Sequence, residues 1–538
     1  MIGRSESGGP AIRDERSPAA TVDGRRPSAL RRLLRKGPPV IHPFLMAAFP
    51  IVFLFARNLY EAITARDMIL PLELSLGATA ILMLAGWAVF RNAKAVGFVV
   101  SAWLLLFFSY GRVSSGLAGE ALGQDRYVLA TWAVLAVAAV IVAFLLRSRL
   151  TATTSALNLI TAVLVVMNVI PITLYRPPHR SNAASKLTGQ FAKPLVVARN
   201  STQMPDIYYI MPEDYGDEIT LREKYGVDTR AFVKYLEKQG FYVAHDSKTN
   251  YNRTNMALSA AGNLQYLSTL LGDAAKEDDA VDRSLPGFAA SRFLQALGYR
   301  YVHMGYWWSP TSADPTADIE VKSGTLSEFS SILNDTTILP TLSRKLDVKQ
   351  EFVDPRRAHH EQVLQELRDI VQTSKLRGPK FVFAHLGIPH PAYIFDRQGR
   401  FVAGSRERDL GRFADQVYFT TKKLQELIGQ LLDATGRKAV IILQTDEGPD
   451  PTHKLRIHIE KGRFEREELL LKYRILNAFF LPGVSRRGLY QSITPVNTFR
   501  LVFDLYFHTD FGFLPDEIWA RTRNPTKFIN ITKLFEKA

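Results

Sequence analysis

The stretch 205–216, PDIYYIMPEDYG, and its counterpart 440–450, VIILQTDEGPD, decide how this chain is read. Each is a short apolar run ending on a pair of acids, Glu213–Asp214 in the first and Asp446–Glu447 in the second. An unbroken apolar run of this length suits a strand buried on both faces, as in a parallel sheet. Similar runs stand at Phe241–Ala244, Tyr301–Met304, Phe381–Leu386 and Leu476–Leu481. Between them lie helix-like stretches at Thr229–Gln239, Ala289–Leu297, His359–Thr373, Phe413–Leu432 and Pro495–Tyr506. Strand and helix in alternation predict an α/β domain with a mainly parallel sheet over 205–538.

In such sheets ligands bind beyond the carboxyl ends of the strands, which singles out a few residues. Glu213 follows the first strand, and Asp446 and Glu447 follow the strand at 440–444. The stretch 381–396, FVFAHLGIPHPAYIFD, carries His385 inside its apolar run and His390 just after it. The stretch 250–267, NYNRTNMALSAAGNLQYL, puts Thr254 where a helix begins. Acids from separate strands can converge on one divalent cation. A threonine hydroxyl becomes a nucleophile only when a metal or base activates it, and a histidine can bind the reacting anion or move its proton. Each residue also has a plainer use: Thr254 as a helix cap, Asp446–Pro449 as a turn, His385 as a core histidine.

The N-terminal part reads differently. Residues 1–40 hold nine Lys/Arg against four acids in a Gly-, Pro- and Ser-rich segment, the composition of a disordered basic tail. Five apolar stretches come next, Ile41–Leu59, Met68–Phe90, Ala95–Tyr110, Tyr127–Leu146 and Ala156–Leu174. Each is close to the roughly 20 residues that a helix needs to cross a membrane, so a five-helix transmembrane domain is expected over 41–175. Arg91, Lys94, Arg147 and Arg149 lie on the same side as the basic leader, whereas the opposite loops mix signs. The positive-inside rule then puts the N-terminus in the cytoplasm. Five spans carry the α/β domain, which begins after a linker over 176–204, to the outer side of the membrane.

Composition narrows the chemistry. With 538 residues and no Cys, the chain has no disulfide, thiol nucleophile or Cys-ligated zinc. The net charge of +15 is explained in part by the membrane-flanking leader, so a nucleic-acid partner is not expected.

Taken together, 205–216, the NYNRT segment, 381–396, 440–449 and the stretches ILNAFFLPG and LYQSITPVNTFRLVFDLYF resemble the sulfatase-like branch of the alkaline phosphatase superfamily. The layout is similar to its bacterial membrane members, the lipoteichoic acid synthase and phosphoethanolamine transferase type. The resemblance implies a metal-bound threonine that takes a phosphoryl head group from a membrane lipid donor and passes it to an envelope glycan or lipid acceptor. Carried over, it makes Thr254 the nucleophile, Glu213, Asp446 and Glu447 the metal set, and His390, with His385, the substrate contacts. A sulfate ester is the other substrate class of the branch. Formylglycine chemistry is excluded, because there is no Cys and the run Ser284–Phe288 lacks the required Arg.

The sequence departs from that pattern at Glu447, where the family has His. A third carboxylate moves preference from zinc toward manganese or magnesium and adds negative charge facing an incoming phosphate. The sequence is therefore compatible with two functions. One is a metal-dependent transferase or hydrolase of the bacterial inner membrane; the other is a degenerate relative that binds an envelope partner without turnover.

Overall fold

Five apolar helices open the structure: α1 (His42–Arg57), α2 (Ala65–Phe90), α3 (Ala93–Gly116), α4 (Asp125–Leu145) and α5 (Leu150–Leu174). This computed structural model describes residues 38–58, 65–117, 125–146, 149–174, 204–306, 308–322, 328–346, 355–402, 409–523 and 526–536, with 194 and 198 standing alone. Of the leader, only 38–40 are among them, and of the linker expected over 176–204, only 194, 198 and 204 are. Helices α2 to α5 are long and apolar enough to cross a membrane. The first expected span is shorter, 16 residues, and packs against α2, α3 and α5. Its start is tied down by polar contacts: Asn158 of α5 accepts from the His42 N–H at 2.9 Å, and His42 Nδ1 lies 2.7 Å from Ser101 Oγ of α3.

The α/β domain is built on a seven-stranded sheet of order β2-β7-β6-β1-β5-β3-β4. Its strands are β1 (Ile207–Pro212), β2 (Tyr242–Val243), β3 (Arg300–Met304), β4 (Ile319–Glu320), β5 (Lys380–Leu386), β6 (Val440–Gln444) and β7 (Asn477–Phe480). All six expected strands are present. The central strand β1 pairs in parallel with β5, Ile207 opposite Phe381, and with β6, Ile207 opposite Val440. Only β7 runs antiparallel, to β6 on one side and β2 on the other, which makes the sheet mainly parallel. A hairpin of β8 (Trp519–Thr522) and β9 (Lys527–Asn530) forms a second, small sheet that the sequence pattern does not announce.

Every residue of β1, β5 and β6 is buried, because side chains on both faces meet cover. Ile207, Tyr209 and Met211 join one layer with Phe288, Phe499 and Phe503. Tyr208 and Ile210 join the other, with Leu236, Val417 and Ile428. The helix Leu410–Ala434 shows how the cover forms. Asp409 caps it by accepting from the Arg412 N–H, and Phe413, Val417, Leu424, Leu427, Ile428 and Leu431 supply a helical apolar stripe.

One short helix joins the two parts. We label it α6 (Glu328–Asp335). Its Phe329 and Leu333 pack with Ile51, Leu54 and Phe55 of α1, and the Gly111 N–H of α3 donates to the Thr336 carbonyl at 2.9 Å. A Cβ on Gly111 would stand 1.9 Å from the Asp335 carbonyl oxygen, so this approach requires glycine. The α/β domain thus meets the ends of α1 and α3 that lie away from Arg91 and Lys94.

Candidate active site

Glu213, Thr254 and Asp446 come together at the carboxyl ends of β1 and β6. Asp214, just past β1, adopts a left-handed backbone (φ 57°), a conformation that Asp tolerates better than most residues. That turn brings the Asp214 N–H to Asp446 Oδ1 at 3.1 Å and so locks the two strand ends together. Thr254 begins the helix Thr254–Gly262, which we label α7. The position before it, Arg253, is the N-cap, and no side chain caps the helix there. The hydroxyl of Thr254 is therefore not spent on capping. It donates to Asp446 Oδ2 at 2.7 Å, and Glu213 Oε1 lies 3.4 Å away.

Glu213, Asp214 and Thr254 line a polar cavity of about 500 Å³. His390 lines it as expected. Its Nδ1–H donates to the Pro391 carbonyl at 2.6 Å, which leaves Nε2 as the acceptor nitrogen. Tyr306, at the end of β3, also lines the cavity, and its hydroxyl hydrogen-bonds Glu213. The ring fits because residue 387 is glycine: a Cβ there would come within 1.9 Å of it.

His385 is a correction. It does not line the cavity; it is buried in β5 behind the rings of Tyr306 and Trp308, with Nδ1 2.8 Å from Thr311 Oγ1. Burial pushes its imidazole down to about 3, so it stays neutral. Its place is in the packing beneath the cavity, whereas His390 lines it.

Glu447 is the second departure from expectation. It lines the cavity, but Oε1 is held by the Lys472 ammonium at 2.9 Å, and the same ammonium stands 3.6 Å from Asp214. Lys472 arrives through a tight fit. The Gly448 N–H donates to the Lys472 carbonyl at 2.8 Å, and Lys472 Nζ donates to the Gly448 carbonyl at 3.1 Å. A Cβ on Gly448 would meet the Leu471 carbonyl oxygen at 2.2 Å. No signal in the sequence marked Lys472, which sits in REELLLKY, a stretch that reads as an ordinary surface helix.

Burial dominates the electrostatics here. It pushes the Glu213 carboxyl well above the usual range, with Asp446 and Asp214 adding to the push. Asp446 is raised to about 6 by burial and then Asp214. Burial raises Glu447 to about 8, with Asp446 and Asp214 acting against the pull of Lys472. Burial works against the charge of Lys472, but Glu447, Asp214 and Asp450 outweigh it and hold the ammonium above its ordinary range.

Do these residues fit a divalent cation? Glu213 Oε2 and Glu447 Oε2 are buried without a hydrogen-bond partner, as expected of carboxylates arranged around positive charge. Thr254, Glu213 and Asp446 offer three converging oxygens, a set for a hard cation completed by water or substrate oxygens. Among the described residues no group of three His, Asp or Glu side chains is arranged to hold a metal. Oxygen donors of this kind suit a hard cation better than zinc.

Arginines line the same cavity. Arg253 binds Asp278 with two 3.0 Å contacts and also pairs with Glu460. Arg456 and Arg523 each approach Glu460 at 3.2 Å. Three guanidinium groups on one carboxylate leave donor N–H groups over, and all three arginines line the cavity. A cavity lined by guanidinium groups as well as acids suits an anionic ester.

No family model and no curated protein matches this sequence. Among solved structures, the chain is similar to the lipooligosaccharide phosphoethanolamine transferase A (EptA), an integral membrane protein from Neisseria meningitidis, at 11% identity and a TM-score of 0.38 over 88% of this chain and 96% of that one. The C-terminal periplasmic domain of EptC from Escherichia coli, in complex with zinc, matches at 12% identity and a TM-score of 0.38 over 62% and 94% of the two chains. A putative sulfatase from Bacteroides thetaiotaomicron matches at 9% identity and a TM-score of 0.35 over 56% and 71%. The chain's own architecture is a multi-helix membrane domain followed by an α/β domain with a mainly parallel sheet.

Proposed function

We propose that the protein is a membrane-anchored transferase or hydrolase of phosphate-ester head groups, with Thr254 as its nucleophile. The observation that carries this reading is the Thr254 hydroxyl. It stands at the start of an uncapped helix, donates to Asp446 at 2.7 Å, and lines a cavity that Arg253, Arg456 and Arg523 also line. A divalent cation held by Glu213, Asp446 and Thr254 would supply Lewis acidity toward that hydroxyl and the ester oxygens. In the first half-reaction the Thr254 oxygen bonds to phosphorus, its proton passes to Asp446, and the donor's ester bond breaks. The departing alkoxide takes that proton from Asp446. In the second half, an acceptor hydroxyl or water displaces Thr254, His390 Nε2 accepts the incoming proton, and that proton passes on to the released Thr254 oxygen. Arg456 and Arg523 hold the non-reacting oxygens. A sulfate ester would meet the same groups.

The sidedness rests on the helix bundle. The α/β domain docks at the end of the bundle opposite Arg91 and Lys94, which supports an N-terminus in the cytoplasm and a catalytic domain facing the envelope. We place the protein in a bacterial inner membrane, with a lipid donor and a glycan or lipid acceptor.

One observation favours a second reading. Lys472 occupies Glu447, as it would in a binding protein without turnover. Intact-mass measurement of the full chain incubated with phospholipid decides between them. The enzyme reading requires an adduct that Thr254→Ala removes; its absence from the parent in the presence of Mn²⁺ or Mg²⁺ supports binding alone.

A further inference from the structure

The helix Pro355–Gln372 carries groups that the mechanism above does not use. Its Val363, Leu367 and Ile370 join the core layer of Val382 and Ala384. Arg356, His359 and Gln362 follow one another at three-residue spacing, so they are neighbours on the helix surface, and all three line the polar cavity. One turn beyond Gln362 stands Glu366, which is 2% exposed. Gln362 Nε2 donates to Glu366 Oε1 at 3.2 Å, the i, i+4 contact that a helix favours. Glu366 Oε2 is buried without a hydrogen-bond partner.

A primary amide has a donor end and an acceptor end. With its nitrogen committed to Glu366, Gln362 has its carbonyl oxygen left for the cavity. Burying a carboxyl is costly, and a leucine at 366 would extend the apolar stripe of Val363, Leu367 and Ile370. What the carboxyl adds is a hold on the Gln362 amide. The two neighbours on this face bring no unanswered charge. Burial, and then His390 and His360, push the His359 imidazole down to about 3, so it is neutral, and Arg356 stands 3.9 Å from Asp335 of α6. We infer that Gln362 is a specificity-determining residue, whose carbonyl oxygen accepts a hydrogen bond from an O–H or N–H group at the end of the head group away from phosphorus. Glu366 is the positioning residue that keeps the amide in that orientation. This rests on the phosphate-ester reading above for the ligand in the cavity. A hydroxyl and a primary ammonium both meet the requirement, whereas a trimethylated ammonium has no N–H to donate.

The test is calorimetric titration of the full chain in detergent with Mg²⁺, carrying Thr254→Ala so that binding is read without turnover. The probes are glycerol 3-phosphate, phosphoethanolamine and phosphocholine, which share the phosphate and differ at the far end. At least one of the first two is expected to bind about tenfold more tightly than phosphocholine, or about 1.4 kcal/mol, the worth of one hydrogen bond; which of them does so tells hydroxyl from ammonium. Gln362→Leu should abolish that preference by weakening the donor-bearing probe while phosphocholine binds as before, which separates the hydrogen bond from the larger size of choline. Glu366→Leu should abolish it too, although residue 366 lies behind Gln362, whereas Glu366→Gln, whose carbonyl can accept from Gln362, should keep it. Equal affinity for all three probes, or a preference that survives Gln362→Leu, overturns the inference and leaves the phosphate-ester reading standing. If Glu366→Leu weakens all three probes alike, its role is structural and the positioning claim falls. If no probe binds, the phosphate-ester reading fails and the inference falls with it.

Discussion

Removing the Lys472 ammonium is the sharpest perturbation of this site. At an effective dielectric constant of about 20, charges at the observed 2.9 and 3.6 Å attract by about 5 kcal/mol each before desolvation is counted. Desolvation offsets several kcal/mol, and removing one partner of a buried pair typically costs about 3–5 kcal/mol. Lys472→Met should therefore lower the melting temperature of the full chain in detergent with chelator present. Divalent cation should restore part of the loss, since it supplies the missing positive charge. Glu447→His alone keeps Lys472 near Asp214 and the Gly448 carbonyl, so an imidazole there faces an ammonium that repels zinc. The double variant Glu447→His/Lys472→Met removes that repulsion. It should bind zinc well where either single variant does not, and its stability should exceed the sum of the single losses by about 2 kcal/mol. Zinc per chain by elemental mass spectrometry and thermal melts check both points. If Glu447→His alone takes up zinc as fully as the double variant, or Lys472→Met melts like the parent, Lys472 does not govern the charge of this site.

The orientation is checked by a phosphatase reporter, expected to be active when fused after Ala538 and inactive after Arg91; the reverse would remove the envelope substrate. Glu366 is buried in the helix Pro355–Gln372, with Gln362 on Oε1 at 3.2 Å and no partner on Oε2, and burial raises its carboxyl well above the usual range. A raised carboxyl favours the fold below its unfolded value, and that contribution is lost as pH rises through the folded one. Glu366→Gln should accordingly stabilise the domain by about 1–3 kcal/mol at neutral pH, with the difference vanishing near about pH 4; an equal Tm gain at both pH values would refute the titration argument.

The sheet was legible in the sequence because each of its core strands is buried on both faces. Runs such as IYYIM and VIILQ have no other soluble use at that length, and their acidic ends marked the site's edge. The membrane helices were legible for the same reason, with the exception of α1, whose helical length stops at 16 residues although the apolar run is longer. What escaped were contacts made at a distance. Tyr306 reaches Glu213 only because Gly387 lets its ring pass over β5. Helix α6 reads as a weak amphipathic turn, yet it holds Phe329 against Phe55 at 6.3 Å. His385 and His390 look alike in FVFAHLGIPHP, and only the end of β5 at Leu386 separates a core histidine from a cavity one.

Glu447 shows why a single departure from a motif is a poor guide to lost function. Read alone, it adds a fourth buried carboxylate to Glu213, Asp214 and Asp446, an arrangement that burial strongly opposes. A site decaying one residue at a time would leave that charge without a counterpart. Here the counterpart exists: Lys472 reaches Glu447 from a helix whose close approach needs Gly448. The ammonium answers the added carboxylate, so the charge around Thr254 is balanced as it would be with a neutral imidazole at 447. The Thr254–Asp446 hydrogen bond, at 2.7 Å, is intact beside it. The geometry therefore reads as a rebuilt charge balance, four carboxyl groups and a tethered ammonium, around a hydroxyl that lines the cavity.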